Sequence, residues 1–257
     1  MKISAVIITK NQEEKITDCL KSVSWCDEIV VVDTGSQDKT VEIAKKLKAK
    51  VFKYPKGCYS DWRNYGLEKS KGEWILYIDS DERVTQKLED EIKGIISKNY
   101  DFSYAIPRKN IILGKEMRYG GWWPDYVKRL FKRKLLKKWI GELHEEPVFE
   151  GELCNLTNAL VHIKEDNLSD MVEKTNKWSE IEAKLMYESG HPEMNVFRFF
   201  SAIFREFYFR FVKYKAFLDG TEGVIFGIYQ VYSKFISYAK LWEMQLKIKN
   251  SEFKMQN

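Results

Sequence analysis

Trp74-Ile75-Leu76-Tyr77-Ile78-Asp79-Ser80-Asp81 is the stretch that decides the fold. Its apolar run, bounded by Lys71-Gly72 and Glu82-Arg83, reads as a buried strand. Two carboxylates one residue apart then leave the carboxyl end of that strand, which is where open α/β sheets bind ligands. Such a pair can hold a hard divalent cation, because Mg²⁺ typically takes one or two protein carboxylates together with phosphate oxygens and water. The same three residues also read as a solvated acidic turn, so the rest of the chain has to decide.

Working outward, the first hundred residues alternate between two periodicities. Strands are expected at Lys2 to Thr9, Glu28 to Asp33, Val51 to Tyr54 and Trp74 to Asp79. Helices are expected at Gln12 to Val23, Asp38 to Ala49, Ser60 to Ser70 and Thr85 to Ser97. Strands separated by helices imply βαβ units and a mainly parallel sheet. Right-handed crossovers then bring the strand ends to one side. After Asp101 the texture changes to shorter, mixed strands, expected at Phe102 to Ile112, Arg118 to Trp123, Val127 to Lys132 and Leu153 to Ile163. Past Asn167 the pattern is helical, with Asn167 and Asp170 marking a helix start and Gly220 a break.

Three of the N-terminal strands end in polar residues suited to one task. They are Thr9-Lys10-Asn11-Gln12-Glu13, Asp33-Thr34-Gly35-Ser36-Gln37-Asp38 and Asp79-Ser80-Asp81. Parallel neighbours would place these loops on one rim. A carboxylate such as Asp33 can accept hydrogen bonds from a base or a ribose hydroxyl. Arg63, on the helix before the acidic strand, can reach a phosphate or stabilise Asp79. Each residue also has a structural reading: Asp33 as a helix N-cap or turn residue, Arg63 as a surface cation.

Composition sets the outer limits. The chain has 257 residues, 44% of them hydrophobic, which supports a real core and excludes a disordered protein. The net charge of +5 is modest, but seven bases fall within Lys128 to Lys138. The four cysteines, Cys19, Cys26, Cys58 and Cys154, have neither metal-site spacing nor a dense disulfide pattern and read as reduced thiols. The N-terminal stretch is too short for a signal peptide, and no run approaches the ~18 apolar residues of a membrane span. A cytoplasmic protein is expected, with any membrane contact peripheral, on the inner face of the cell membrane.

Ile7-Ile8-Thr9-Lys10-Asn11-Gln12-Glu13, Val31-Val32-Asp33-Thr34-Gly35-Ser36-Gln37-Asp38-Lys39-Thr40, Arg63-Asn64-Tyr65-Gly66 and Gly72 to Glu82 resemble, in order and spacing, the family 2 inverting glycosyltransferases of GT-A fold. Within that family the chain most resembles the bacterial subgroup that includes the lipopolysaccharide-core β-1,4-glucosyltransferases. That likeness continues through Trp139-Ile140-Gly141-Glu142-Leu143-His144-Glu145-Glu146, Leu160-Val161-His162 and Phe217-Leu218-Asp219-Gly220-Thr221-Glu222-Gly223.

The resemblance implies an α/β fold of the GT-A class, a Rossmann-like mixed sheet with a helical C-terminal extension. Residues 1–165 would be the catalytic domain, its nucleotide-binding half about 1–100 and its acceptor half about 101–165. Residues 166–257 would be a helical, aromatic-rich region. Thr9, Asn11, Glu13, Asp33, Asp79 and Ser80 would line the nucleotide and diphosphate pocket. Asp79 and Asp81 would form the family's DxD motif on Mg²⁺ or Mn²⁺, with His162 as a further metal or diphosphate contact; a histidine after an apolar run also reads as a satisfied structural residue. The donor would be a nucleotide-sugar, a UDP-sugar of the UDP-glucose type, and the acceptor a glycan or lipid-linked glycan of surface polysaccharide or lipopolysaccharide core.

Inverting transfer needs a carboxylate base for the acceptor hydroxyl. The acidic pair many relatives carry is absent at an obvious place, leaving Glu142, Glu145 and Glu146. The His144-Glu145 dipeptide matches the subgroup and favours Glu145, with a structural role in the turn before Pro147 as the alternative. Arg63 and Glu142 complete the candidate catalytic set. Gly120-Gly121-Trp122-Trp123-Pro124-Asp125 reads as a loop presenting aromatic faces to sugars, or as core packing. Arg129 and Arg133 read as contacts to diphosphate or an anionic acceptor, or as a solvated strand face.

The C-terminal third interleaves aromatics with Arg198, Arg205, Arg210, Lys213 and Lys215. A basic amphipathic helix with large aromatics suits a bilayer interface. Packing between helices or between copies of the chain is the other reading. Two further functions compete with sugar transfer to a surface glycan. One is transfer to a protein or another lipid-linked acceptor. The other, from a different class, is a non-catalytic RNA- or membrane-binding module working through the Lys128 to Lys138 cluster. That second reading leaves the acidic strand ends unexplained, so nucleic acid is disfavoured. A nucleotidyltransferase would want a glycine-rich phosphate loop, and Thr9 to Glu13 contains no glycine.

Overall fold

The apolar runs that mark the first, second and fourth strands are buried because each has neighbours on both sides. The computed structural model describes residues 2–142, 145–165 and 167–256. In chain order β1 is Ile3–Thr9, α1 Ile16–Ser22, β2 Glu28–Asp33, α2 Thr40–Lys46, β3 Lys50–Lys53, α3 Tyr59–Lys69 and β4 Trp74–Asp79. These follow the expected alternation, with both early helices shorter than expected because residues at each end form turns and bends. Then come β5 Glu82–Val84, α4 Gln86–Lys98, β6 Phe102–Ile112, β7 Lys115–Met117, β8 Asp125–Lys132, β9 Leu136–Ile140, β10 Glu146–Phe149, β11 Glu152–Asn155 and β12 Leu160–Glu165. The helices α5 Leu168–Glu188, α6 Val196–Phe207 and α7 Gly220–Gln256 complete the chain.

The chain divides into two compact units, residues 1–110 with 124–163, and residues 111–123 with 164–257. In the first, the sheet order is β3-β2-β1-β4-β8-β6-β12-β5, with β11 alongside β6. The strands β3, β2, β1 and β4 are parallel, whereas β4–β8, β8–β6 and β12–β5 are antiparallel. The sheet is therefore mixed. Leu88, Ile92 and Ile96, spaced four apart on α4, bury one helical face in the main core with Ile7, Leu76 and Ile78. Thr85 caps this helix by accepting from the Leu88 N–H. On the other face of the sheet, Val6, Tyr77, Phe131 and Trp139 form a second cluster. The helix α3 approaches β1 at Gly66, where a Cβ would lie 2.3 Å from Val6 Cγ1. That contact explains the glycine in Arg63-Asn64-Tyr65-Gly66.

In the second unit α5 buries Met171, Thr175, Ser179 and Ala183, again four residues apart. Asn167 caps it by accepting from Asp170 N–H, as the sequence suggests. The helix α6 continues into a π-helical segment, Tyr208–Lys213, and Gly220 opens α7 after a 3₁₀ turn, Ala216–Asp219. Asp219 is buried, and its carboxylate accepts the backbone N–H groups of Arg118 and Tyr119. No helix among the described residues is long and apolar enough to cross a membrane.

Three expectations change. The strand expected at Arg118 to Trp123 is a turn, because Gly120 and Gly121 adopt φ of +66 and +83 and interrupt extended backbone. The expected strand Leu153 to Ile163 is two, β11 and β12, separated by a turn at Thr157-Asn158 whose N–H groups donate to Glu91. Trp122 belongs to a core: it packs on Phe226 at 4.9 Å, with the Arg210 guanidinium 4.9 Å from its ring. Trp123 remains exposed.

Candidate active site

Strand register builds the site. The β1 strand lies between β2 and β4, pairing Thr9 with Asp33 and Ile8 with Asp79. The three polar strand ends therefore share one rim, as expected. Loop to loop, the first two are stitched together. Asn11 takes a φ of +51, donates its N–H to Ser36 Oγ at 2.9 Å and accepts from Gln37 N–H at 2.8 Å. Glu13 accepts from Lys39 N–H at 3.0 Å and donates its own N–H to Asp38. Asp33 is buried, and its Oδ1 accepts from Ser36 N–H at 3.0 Å. The Thr9 hydroxyl is buried with no partner among the described residues. Such an orphan typically costs about 1–3 kcal/mol unless something supplies the missing bond.

The acidic strand end is held by two arginines. Arg63, buried on α3, donates through Nη2 to Asp79 Oδ1 at 3.0 Å and through Nε to Glu145 at 2.8 Å. Its guanidinium also lies 4.9 Å from the Trp139 ring. Arg129, buried on β8, donates to Asp79 Oδ2 and to Glu82, which is fully buried. Burial pushes the Asp79 carboxyl up, but the Arg129 and Arg63 guanidiniums outweigh it and hold the group well below the usual carboxylate range. Of the two roles the sequence offers for Arg63, the structure shows the bond to Asp79. Neither Arg129 nor Arg133 lies on a solvated strand face, because Arg133 donates to the carbonyls of Leu67, Ser70 and Gly72.

Asp81 faces a different partner. The strand β12 pairs with β5, placing His162 opposite Glu82, and Ile163 N–H donates to the Asp81 carbonyl. His162 is buried, and its Nε2 lies 3.5 Å from Asp81 Oδ2. Its other ring nitrogen, Nδ1, lies 2.7 Å from Asn110 Oδ1. Ser80 is buried, and its carbonyl accepts from Arg83. Among the described residues no group of three or more His, Cys, Asp or Glu side chains is placed to hold a metal ion. Asp79, expected on the cation, has both carboxylate oxygens on arginines, which leaves Asp81 and His162 as the adjacent donor pair.

The three candidate bases separate clearly. Glu145 is largely buried against Arg63, Glu146 pairs with Lys128 near the surface, and Glu142 is exposed. His144 lies outside the described residues. Tyr59 was not among the expected residues. Burial, then the nearby carboxylates of Asp79, Glu145 and Asp81, push its phenol up to about 12. Only its position at the start of α3, four residues before Arg63, hints at this in the sequence. The buried salt-bridge role of Glu82 and the polar links through Asn110 were likewise missed.

The basic cluster is largely neutralised: Lys128 pairs with Glu146, Lys132 and Lys134 with Asp101, and Lys137 with Glu150. A cavity of about 870 Å³ lies between α5 and α7 in the second unit, lined by Leu168, Val172, Tyr232 and Trp242. It contains none of the strand-end residues.

Comparison with known proteins gives this rim its family. An uncharacterized glycosyltransferase of Rickettsia conorii, RC0292, is 30% identical over 97% of this chain and 93% of its own. The lipopolysaccharide core biosynthesis glycosyltransferase LpsC of Rhizobium meliloti is 27% identical over 94% of this chain and 92% of its own. Among solved structures, S. aureus TarS 1–349 in complex with UDP-GlcNAc aligns over 98% of this chain and 92% of its own, with 17% identity and a TM-score of 0.48. The glycosyl transferase family 2 model matches residues 4–147, a span that includes every polar strand end described above as well as Arg63 and Glu145. With that match, and a relative aligned almost end to end, the chain belongs to glycosyl transferase family 2.

Proposed function

We propose that this protein is an inverting glycosyltransferase that moves a sugar from a UDP-sugar, of the UDP-glucose type, to a glycan of bacterial surface polysaccharide or lipopolysaccharide core. One observation carries the reading: the β2-β1-β4 register puts Thr9, Asp33 and the Asp79-Ser80-Asp81 turn on one rim. The sequence likeness to LpsC, named for lipopolysaccharide core biosynthesis, supports the acceptor class.

Asp33 and the Thr9 hydroxyl, which has no partner among the described residues, supply polar groups for the nucleoside, on loops that Asn11 and Glu13 hold in place. A divalent cation fits the donor set. Asp81 and His162 offer an oxygen and a nitrogen side by side and would hold Mg²⁺ or Mn²⁺, whose remaining ligands would be phosphate oxygens and water. The imidazole favours Mn²⁺, since Mg²⁺ prefers oxygen ligands throughout. When bound, the cation offsets negative charge on the departing diphosphate. Glu145 removes the proton from the acceptor hydroxyl as that oxygen attacks the anomeric carbon and the bond to the diphosphate breaks. Arg63 holds the Glu145 carboxylate in one orientation and ties it to Asp79.

The test is a panel of nucleotide-sugars with Mn²⁺ or Mg²⁺, scored by thermal shift and by transfer to a lipopolysaccharide-core acceptor. UDP-glucose should raise the melting temperature according to occupancy. Glu145→Gln should keep that shift and lose about 10²–10⁴-fold in kcat, the usual share of a general base. Full turnover in this variant would move the base to Glu142 or Glu146, and absence of any nucleotide-sugar shift would overturn the function itself.

The second unit adds a lipid surface. Phe197, Phe200, Phe204 and Phe207 repeat every three or four residues along α6 and are exposed, Phe197 at 85%. Arg198 and Arg205 are exposed on that helix and the exposed Lys213 follows it, so the surface complements an anionic bilayer. Wild-type protein should sediment with vesicles containing phosphatidylglycerol and far less with pure phosphatidylcholine. Phe197→Glu with Phe200→Glu should abolish sedimentation and leave turnover on a soluble acceptor unchanged. A dimer in solution that these substitutions split, without any vesicle binding, would assign the face to a second copy instead.

A further inference from the structure

His162 needs its Nε2 lone pair free to serve as a ligand, and the sheet contains the parts that free it. On β6, Arg108 and Asn110 are two residues apart and so share one face. Across the β6–β8 ladder Arg108 is paired with Asp125. The Asp125 Oδ2 atom accepts from Arg108 Nε at 3.0 Å, from Arg108 Nη2 at 2.7 Å and from Asn110 Nδ2 at 3.0 Å. A carboxylate oxygen only accepts, so it fixes which way the Asn110 amide faces. The amide nitrogen turns to Asp125, and the amide oxygen is left facing His162 Nδ1 at 2.7 Å. An oxygen at that place accepts a hydrogen bond from Nδ1–H, and a neutral ring protonated there carries its lone pair on Nε2. Nε2 is the atom beside Asp81.

We propose that Asn110 is a positioning residue, oriented by Asp125 and Arg108, that locks His162 in its Nδ1–H tautomer and aims Nε2 at a divalent cation shared with Asp81. This rests on the reading of His162 as a cation ligand given above. Outer partners of this kind fix the tautomer and direction of ligating histidines, and losing one typically costs about 10–100-fold in metal affinity. Neither the sequence pattern nor the family motif quoted above includes Asn110. It lies 52 residues from His162 in the chain, and only the β6–β12 neighbourhood brings the two together.

The tautomer can be read without metal. The chain has three histidines, so ¹⁵N-histidine labelling with His162→Ala as the assignment control isolates this ring in an NMR spectrum. With Asp81→Ala in place, so that no carboxylate holds a proton on Nε2, the metal-free neutral ring should show a protonated Nδ1 and a bare Nε2. Asn110→Ala should shift the ring toward the Nε2–H form that free histidine prefers. Asp125→Ala, which removes the group orienting the amide, should move it in the same direction and covers the case in which Asn110→Ala fails to fold. Mn²⁺ affinity, measured by electron paramagnetic resonance in the presence of UDP, should fall about 10–100-fold in Asn110→Ala. It should fall at least as far in His162→Ala, and no further in the double variant, because Asn110 acts only through the ring.

A neutral Nε2–H ring in the Asp81→Ala protein would overturn the lock, as would an Asn110→Ala protein with unchanged tautomer and affinity. If His162→Ala binds Mn²⁺ as tightly as wild type while Asp81→Asn does not, the ligand reading of His162 fails and this inference fails with it, whereas the nucleotide-sugar panel continues to stand on its own result.

Discussion

Asp81→Asn is expected to lower kcat/KM for sugar transfer by about 10³-fold, with donor hydrolysis falling in parallel and the fold retained. A cation at a leaving diphosphate is worth several kcal/mol of charge stabilisation, and each ~1.36 kcal/mol is a factor of ten in rate. Asparagine keeps the shape of Asp81 and removes its charge, so the loss reports on that charge. The fold should survive because the ion pairs of this turn converge on Asp79, which carries both arginines. Asp79→Asn is the contrasting control: it should disturb Arg63 and Arg129 and lower the melting temperature as well as the rate. Turnover measured with saturating Mn²⁺, alongside a circular-dichroism melt, separates the two. Wild-type turnover in Asp81→Asn with metal present would rule out the proposed cation site.

The contrast between the two aspartates shows which parts of the site a sequence can express. The strands β1, β2 and β4 and the rim they share were legible because these strands are buried nearly continuously, so apolar runs and the polar residues closing them are local signals. The family motif adds that these closures belong together. Charge partners have no such signal. Glu82 lies in a three-residue strand beside Asp81 and reads as the end of an acidic turn, yet it is fully buried. Its burial is possible because Arg108 and Arg129 reach it from strands 26 and 47 residues further along.

The same limit accounts for the basic run. Seven bases between Lys128 and Lys138 suggest one solvated surface, but strand alternation sends them different ways. Arg129 turns into the carboxylates and Lys132 toward Asp101, while Lys137 and Lys138 are exposed on β9. That mixture also hid the β9–β10 pair, in which paired exposed lysines separate the buried Leu136 and Trp139 and break the strand alternation. The Gly120-Gly121 pair was, by comparison, a readable warning against a strand. Trp122 beside it was ambiguous until Phe226, more than a hundred residues away, was seen to cover it.

Arg129→Met should be among the most destabilising single substitutions available in the first unit. Arg129 is 4% exposed and stands between Asp79 and the fully buried Glu82. Methionine fills similar volume but leaves two carboxylates facing each other without that cation. Breaking a buried pair from one side typically costs about 3–5 kcal/mol, which in a chain of this size is on the order of 10 °C in melting temperature. The pH dependence gives the mechanism away. In the wild type the folded Asp79 carboxyl is held below its unfolded value, so its contribution is in place above the unfolded carboxyl pKa of about 4 and is lost as pH falls through the folded value. Without Arg129 that depression shrinks, and protonation now relieves repulsion instead of breaking a bond. The gap between variant and wild type should therefore be widest near neutrality and narrow as pH drops below about 5. Adding Glu82→Gln should recover part of the loss, because it removes one of the two carboxylates that share Arg129 and keeps an oxygen for the Asp79 N–H. Urea melts of the three proteins at several pH values would decide it: an Arg129→Met loss independent of pH and untouched by Glu82→Gln would mean that the arginine stabilises this turn by packing, not by charge.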